Sequence, residues 1–152
     1  MAPAQASLLA KLDTQQRVRD FLTNAVASGR ASHAYLFLGA PGAGKLDAAW
    51  ALAQAFLCEQ DGCGACDSCV RVARHTHPDV HYYTPESATG YLIAQTRELL
   101  DDVPLAPIRA KAKVYIIDRA EQLRANTANA LLKTLEEPPE GVMFILLGTS
   151  AD

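Results

Sequence analysis

Long hydrophobic runs are missing from this chain. A membrane-spanning helix needs about 20 largely apolar residues. The nearest stretches, Ala48–Leu57 and Val142–Leu147, fall well short, and the first is interrupted by Gln54. The opening Met1-Ala-Pro-Ala-Gln5 has no basic lead into an apolar segment, so a secretory signal is not read and the cytoplasm is the expected compartment, with no membrane partner. An excess of positive charge is missing too. Fourteen Lys and Arg stand against 17 Asp and Glu, a net charge of −3. This excludes a histone-like, charge-driven binder of nucleic acid, although it leaves room for a local basic strip. There is no internal repeat and no low-complexity tract. What is present is ordinary for a packed domain: 49% hydrophobic and 20% charged residues over 152 positions. A chain of that length makes one domain and buries roughly 68–70% of its unfolded surface.

Periodicity divides the chain into alternating helices and strands. Gln15–Arg30 reads as an amphipathic helix with Val18, Phe21, Leu22, Ala25 and Val26 on one face, a capping pair at Asp13 and Gln16, and Gly29 at its end. Ala34–Leu38, Val114–Ile117 and Val142–Leu147 are uninterrupted apolar strands, and Val80–Tyr83 is β-prone. Between them lie the Ala-rich Lys45–Leu57, then Leu92–Val103 with Leu92, Thr96, Leu99, Leu100 and Val103 on one face. Asn126–Glu137 follows with Ala130, Leu131 and Leu135 inward, stopped by Pro138-Pro139. Strands that are apolar throughout and separated by helices predict a parallel sheet covered on both faces, a three-layer α/β fold. The chain reaches Asp152 directly after a core strand, the pattern expected of a fragment, a partial domain over 1–152, or of the first domain of something longer.

Two motifs carry chemistry around the strand ends. Gly39-Ala40-Pro41-Gly42-Ala43-Gly44-Lys45-Leu46 matches G-x-x-x-x-G-K between a strand and a helix but lacks the closing Ser or Thr. Glycines let successive amides turn inward around phosphate oxygens, the helix N-terminus adds positive potential, and the lysine reaches the outer phosphates. ATP or ADP is therefore expected to bind weakly through backbone and Lys45. Leu46 stands where a hydroxyl would bind Mg²⁺, so the metal would be poorly held. Asp118 ends the Val114–Ile117 strand at the edge where α/β sheets bind ligands, as a metal-holding carboxylate would; the alternative is a cap on the following turn. The next residue is Arg119, whose guanidinium cannot serve as a base. Glu121 follows, and nothing in the sequence places it over the phosphates. No catalytic residue is assigned, and efficient ATP hydrolysis by this chain alone is not expected.

All four cysteines lie in one stretch, Cys58, Cys63, Cys66 and Cys69. Four clustered thiols in a cytosolic chain point to a closed, structural Zn²⁺ site, with Gly62 and Gly64 supplying tight turns; a redox pair and an iron–sulfur site are the alternatives. His75, His77 and His33 read as turn, packing or hydrogen-bonding residues rather than ligands.

These segments, in this order, resemble the N-terminal AAA+ region of bacterial DNA polymerase III clamp-loader subunits. The resemblance rests on Gly29–Gly39 running into the phosphate loop, the four-cysteine insert and Thr76-His-Pro-Asp79. It continues through Ile93–Leu100 and Lys113–Asp118 to, most specifically, Asn129-Ala-Leu-Leu-Lys-Thr-Leu-Glu-Glu-Pro-Pro139. It implies an AAA+ P-loop core with a small zinc module at about 58–69 and a nucleotide-sensing position near Thr149. A last sheet strand beside Ala34–Leu38, a lid, a collar and a trans-acting arginine would follow residue 152. Within the family, gamma/tau subunits hydrolyse ATP, whereas delta-prime subunits often carry a decayed site. Leu46 and Arg119 depart in the delta-prime direction. The implied role is a mostly non-hydrolysing stator in a hetero-oligomeric ring with gamma/tau and delta, which places a sliding clamp on primed DNA in the cytoplasmic replisome. Arg124 is a candidate phosphate contact or a plain surface charge. An ATP-hydrolysing gamma/tau-type motor is the alternative, and an unrelated zinc-containing P-loop enzyme a more distant one.

Overall fold

Two strands that are apolar at nearly every position form the centre of the sheet. The computed structural model of the chain describes residues 7–12, 16–40 and 42–149. Strands β1 (Ala34–Leu38), β2 (Val80–Tyr83), β3 (Lys113–Ile117) and β4 (Val142–Gly148) form one parallel sheet in the order β1-β4-β3-β2. Every residue of β3 is buried, and nearly every residue of β4, as expected for strands covered on both faces.

Side-chain alternation sorts this core into two halves. Val114, Ile116, Met143, Ile145 and Leu147 face one side, where they meet Leu22 and Val26 of α1 (Gln16–Ala27) and Ala49, Leu52 and Ala53 of α2 (Lys45–Leu57). Tyr115, Ile117, Val142 and Phe144 face the other. There they meet Leu99 of α4 (Ile93–Asp102) and Leu131 of α5 (Ala125–Glu136). Helices on both faces of a parallel sheet give the three layers expected from the sequence. Two 3₁₀ turns, Leu9–Lys11 and Ala120–Gln122, complete the order.

Local chemistry explains the element ends. Gly29 takes a left-handed φ of 72° after α1, and the Arg30 amide bonds back to the Ala25 carbonyl, a glycine-terminated helix end. The Asp13 partner of the expected capping pair lies outside the described residues. Buried Lys113 donates from Nζ to the carbonyls of Asp102 and Val103, anchoring the C-terminal end of α4 to the central sheet.

Three expectations change. Phe21 is 64% exposed rather than inward, because the α1 face that meets α2 is filled by Leu22 and Val26. Leu92 caps α4 from outside the helix and is also exposed. The cysteine stretch contains a helix not anticipated from sequence, α3 (Asp67–Ala73), packed on α2. Among the described residues β1 is an edge strand with β4 as its one sheet neighbour, and it leaves Leu36 and Leu38 exposed. Among the described residues no helix is long and apolar enough to cross a membrane.

Candidate functional site

The phosphate-loop sequence forms the turn between β1 and α2. Gly42 and Gly44 hold φ of 83° and 91°, a region L side chains avoid, and the Ala43 amide closes the turn on the Ala40 carbonyl. The turn is close-packed: a Cβ on Gly39 would lie 3.3 Å from the Ala43 methyl. The first amides of α2 therefore open toward the mouth of the loop, an arrangement suited to anionic oxygens. Lys45 Nζ donates to the carbonyls of Gly39 (2.7 Å) and Gly148 (2.9 Å), tying the ends of β1 and β4 beneath the loop.

A pocket of about 560 Å³ lies at these strand ends, lined by Gly42, Gly44, Lys45, Leu46, Asp118, Arg119 and Thr149, together with Asp47, Glu121, Gln122 and Leu147. Seven residues singled out by sequence thus meet in one place. Gly39 and Ala43 border a neighbouring apolar groove along β1, Ala40 lies within the turn, and Pro41 is outside the described residues. Glu121 is the residue sequence reasoning left unplaced. The 3₁₀ turn Ala120–Gln122 carries it into the pocket wall, and the left-handed Arg119 (φ 49°) makes that turn possible. A non-glycine residue entering a left-handed conformation gives no clear signal in sequence.

Asp118 is held at both oxygens. Oδ1 accepts the Arg119 amide at 2.9 Å, the capping bond weighed as an alternative, and Oδ2 accepts the Tyr82 hydroxyl of β2 at 2.8 Å. Its carbonyl accepts Tyr91 Oη from behind. Burial, and then the hydrogen bond to Asp118, push the Tyr82 phenol above its usual range, so it stays a protonated donor. These residues do not suit a hard divalent cation. Leu46 offers no oxygen, Asp118 is engaged, and the Arg119 side chain lines the same pocket.

The four cysteines converge at the far end of α2. Cys58 terminates α2, Cys63 and Cys66 lie in the following loop, and Cys69 sits in α3. All four sulfurs lie within 4.8 Å of one another, with Cys58 to Cys66 at 3.9 Å and Cys63 to Cys69 at 4.0 Å. A tetrahedral ion with metal–sulfur bonds of about 2.3 Å requires sulfurs about 3.8 Å apart. Amides of Gln60, Cys63, Ala65, Cys66 and Cys69 point at three of the sulfurs, the polarity that stabilises thiolates. The amides of Ala65 and Cys66 lower the Cys63 thiol to about 7, whereas burial raises Cys66. The thiols are free rather than paired, and the set could hold one metal ion.

The histidines stay outside this ligand set. His77 is buried, its Nδ1 accepting the Asp79 amide; His75 stacks on Trp50 at 3.8 Å; His33 Nε2 bonds the Leu135 carbonyl. Arg124 precedes α5, is exposed, and donates from Nε to the Tyr91 carbonyl.

A phosphate loop between an edge strand and a helix, on a parallel sheet ordered β1-β4-β3-β2 with a carboxylate ending β3, defines a P-loop α/β domain. The fold matches a gamma subunit-related protein of DNA polymerase III from Thermotoga maritima, with a TM-score of 0.57 and 20% identity over 86% of this chain and 38% of that one. It likewise matches Caenorhabditis elegans PCH-2, with a TM-score of 0.57 and 14% identity over 96% and 41%. Residues 14–152 match the family described as DNA polymerase III, delta subunit, and the chain belongs to that family. It is 41% identical over 138 residues to DNA polymerase III subunit delta′ of Bacillus subtilis, covering 89% of this chain and 42% of that protein. It is 42% identical over 139 residues to subunit tau of Escherichia coli, covering 89% and 21%. The chain therefore spans less than half the length of these relatives.

Proposed function

We propose that the chain is the nucleotide-binding portion of a delta-prime-type clamp-loader subunit, acting as a mostly non-hydrolysing stator. The observation that carries this reading is the composition of the strand-end pocket. Phosphate-loop amides and Lys45 remain, but Leu46 and Arg119 stand in the same pocket where metal and water chemistry would need a hydroxyl and a base. ATP or ADP would bind weakly to the loop from Gly39 to Leu46, with Asp118 and Thr149 at the strand ends. Zn²⁺ at Cys58, Cys63, Cys66 and Cys69 would be structural, since four protein ligands leave no open coordination position. The partners would be gamma/tau and delta in a hetero-oligomeric ring, the sliding clamp, and primed DNA reached through the assembly. The compartment would be the cytoplasm, at the replisome.

One observation favours the motor reading: Glu121 lines the pocket with Lys45 and Thr149, and a carboxylate there could orient water. Reconstitution separates the two. The full-length protein assembles with gamma/tau and delta, and clamp loading onto primed DNA is followed with wild type and Lys45→Ala. A stator keeps loading within about twofold. A motor loses at least tenfold, since the phosphate-loop lysine contributes to the hydrolytic step.

A further inference from the structure

We propose that Tyr82 is a specificity-determining residue of the strand-end pocket: its hydroxyl bonds an Asp118 oxygen and draws off part of the charge that a divalent cation would use, so the pocket selects against the cation and admits a polyphosphate as the bare anion. This inference rests on the reading of the pocket as a nucleotide site. It goes further by assigning the exclusion of metal to a residue of β2, outside both sequence motifs.

The geometry is specific. Tyr82 pairs with Ile116 across the sheet, two residues before Asp118, so its side chain rises on the α2 face of the strand that ends in the carboxylate. The ring sits 6.0 Å from Trp50 of α2, tilted by 36°, and Trp50 is itself stacked on His75. The ring is 38% exposed and rests on Trp50 along one side, and its hydroxyl reaches Asp118 Oδ2 at 2.8 Å. The other oxygen takes the Arg119 amide at 2.9 Å. A cation would have to share each of these oxygens with a hydrogen-bond donor, beside a guanidinium, and without a hydroxyl from position 46. The phenol donor also reduces the repulsion that an unpaired Asp118 would exert on a phosphate chain. Nucleotide anion and protein thereby do without the ion that usually stands between them.

The test uses the full-length, zinc-loaded protein and Mn²⁺ as the cation probe. ATP affinity is measured in divalent-free buffer and with Mn²⁺, and bound Mn²⁺ is read from the loss of the free-ion electron paramagnetic resonance signal. Wild type is expected to bind ATP within threefold under both conditions and to bind no Mn²⁺ with it. Leu46→Thr alone is expected to stay within threefold. The Tyr82→Phe, Leu46→Thr double variant keeps the ring on Trp50 but frees Asp118. It is expected to bind ATP at least tenfold tighter with Mn²⁺, with one ion retained. The proposal is overturned if wild type already prefers Mn²⁺·ATP, if Leu46→Thr alone gives the full gain, or if the double variant gives none. Absence of ATP binding in every condition also overturns it, yet leaves the stator reading standing provided the protein still enters the loader. Failure to enter the loader strikes the stator reading instead.

Discussion

Asp79 is a carboxylate with no exposed surface, and its fate decides how the loop before β3 is built. Its two oxygens accept the amides of Ile108, Arg109 and Ala110 at 2.6, 2.7 and 2.7 Å. Burial alone would raise its pKa, but the three amides outweigh it and hold the carboxyl below its usual range. Asp79→Asn replaces an acceptor oxygen with an amide that faces N–H donors, and is expected to cost about 2–3 kcal/mol. A depressed folded pKa means that this stabilisation is complete above the unfolded value of about 3.9 and is lost as pH falls through the folded value. Thermal melts between pH 6 and pH 3 should therefore show the wild type losing stability at the acid end and Asp79→Asn losing less. Parallel curves would show that the amides do not act through the charge. None of this was legible in the sequence, because the three donors lie 29 to 31 positions further along.

Among the elements, α3 is the one whose existence depends on something outside its own residues. Seven residues are too few for a stable isolated helix. Its N-cap is Cys66, whose sulfur accepts the Cys69 amide, so the cap and two of the four thiols belong to one structure. Arg71 and Arg109 both bridge to Asp67 on the exposed side, contacts of small energy. With the proposed Zn²⁺ at the four thiols, a chelator should therefore melt α3 selectively. Amide exchange in residues 58–74 should rise at least a hundredfold while β3 and β4 stay protected. The single tryptophan supplies a second readout, because His75 follows α3 and stacks on Trp50. Unchanged exchange and unchanged Trp50 emission would show that packing on α2 alone sustains the helix. The strands by contrast were legible, to within a residue or two, because continuous apolar runs leave few alternatives. α3 was not, because its signal is ligand spacing rather than hydrophobic period. The same limit applies to Tyr82: each motif is local, whereas the Tyr82–Asp118 contact joins two strands 36 residues apart.

At the scale of the whole molecule the sheet has two edges, β1 and β2, and β1 is the more apolar of them. β3 and β4 are enclosed; among the described residues β1 pairs on one side alone, as β2 does, and it carries Leu36 at 57% and Leu38 at 44% exposure. With Arg17, Val18, Phe21 and Tyr35 these residues line an apolar groove of about 560 Å³ beside the phosphate loop. An open, apolar, uncharged edge pairs readily with another strand, and natural edges are commonly guarded by an inward lysine or a bulge that β1 lacks. A polypeptide of these 152 residues should accordingly self-associate at micromolar concentration. Leu36→Lys places a charge at the middle of the edge while removing little buried area, so it should cost no more than about 0.5 kcal/mol. Sedimentation velocity should then show the variant shifted toward monomer at concentrations where the parent chain is associated, with thermal melts within a few degrees. Equal association of both would place the contact elsewhere, and the exposed Leu105 and Ile108 of the loop before β3 would become the next positions to charge.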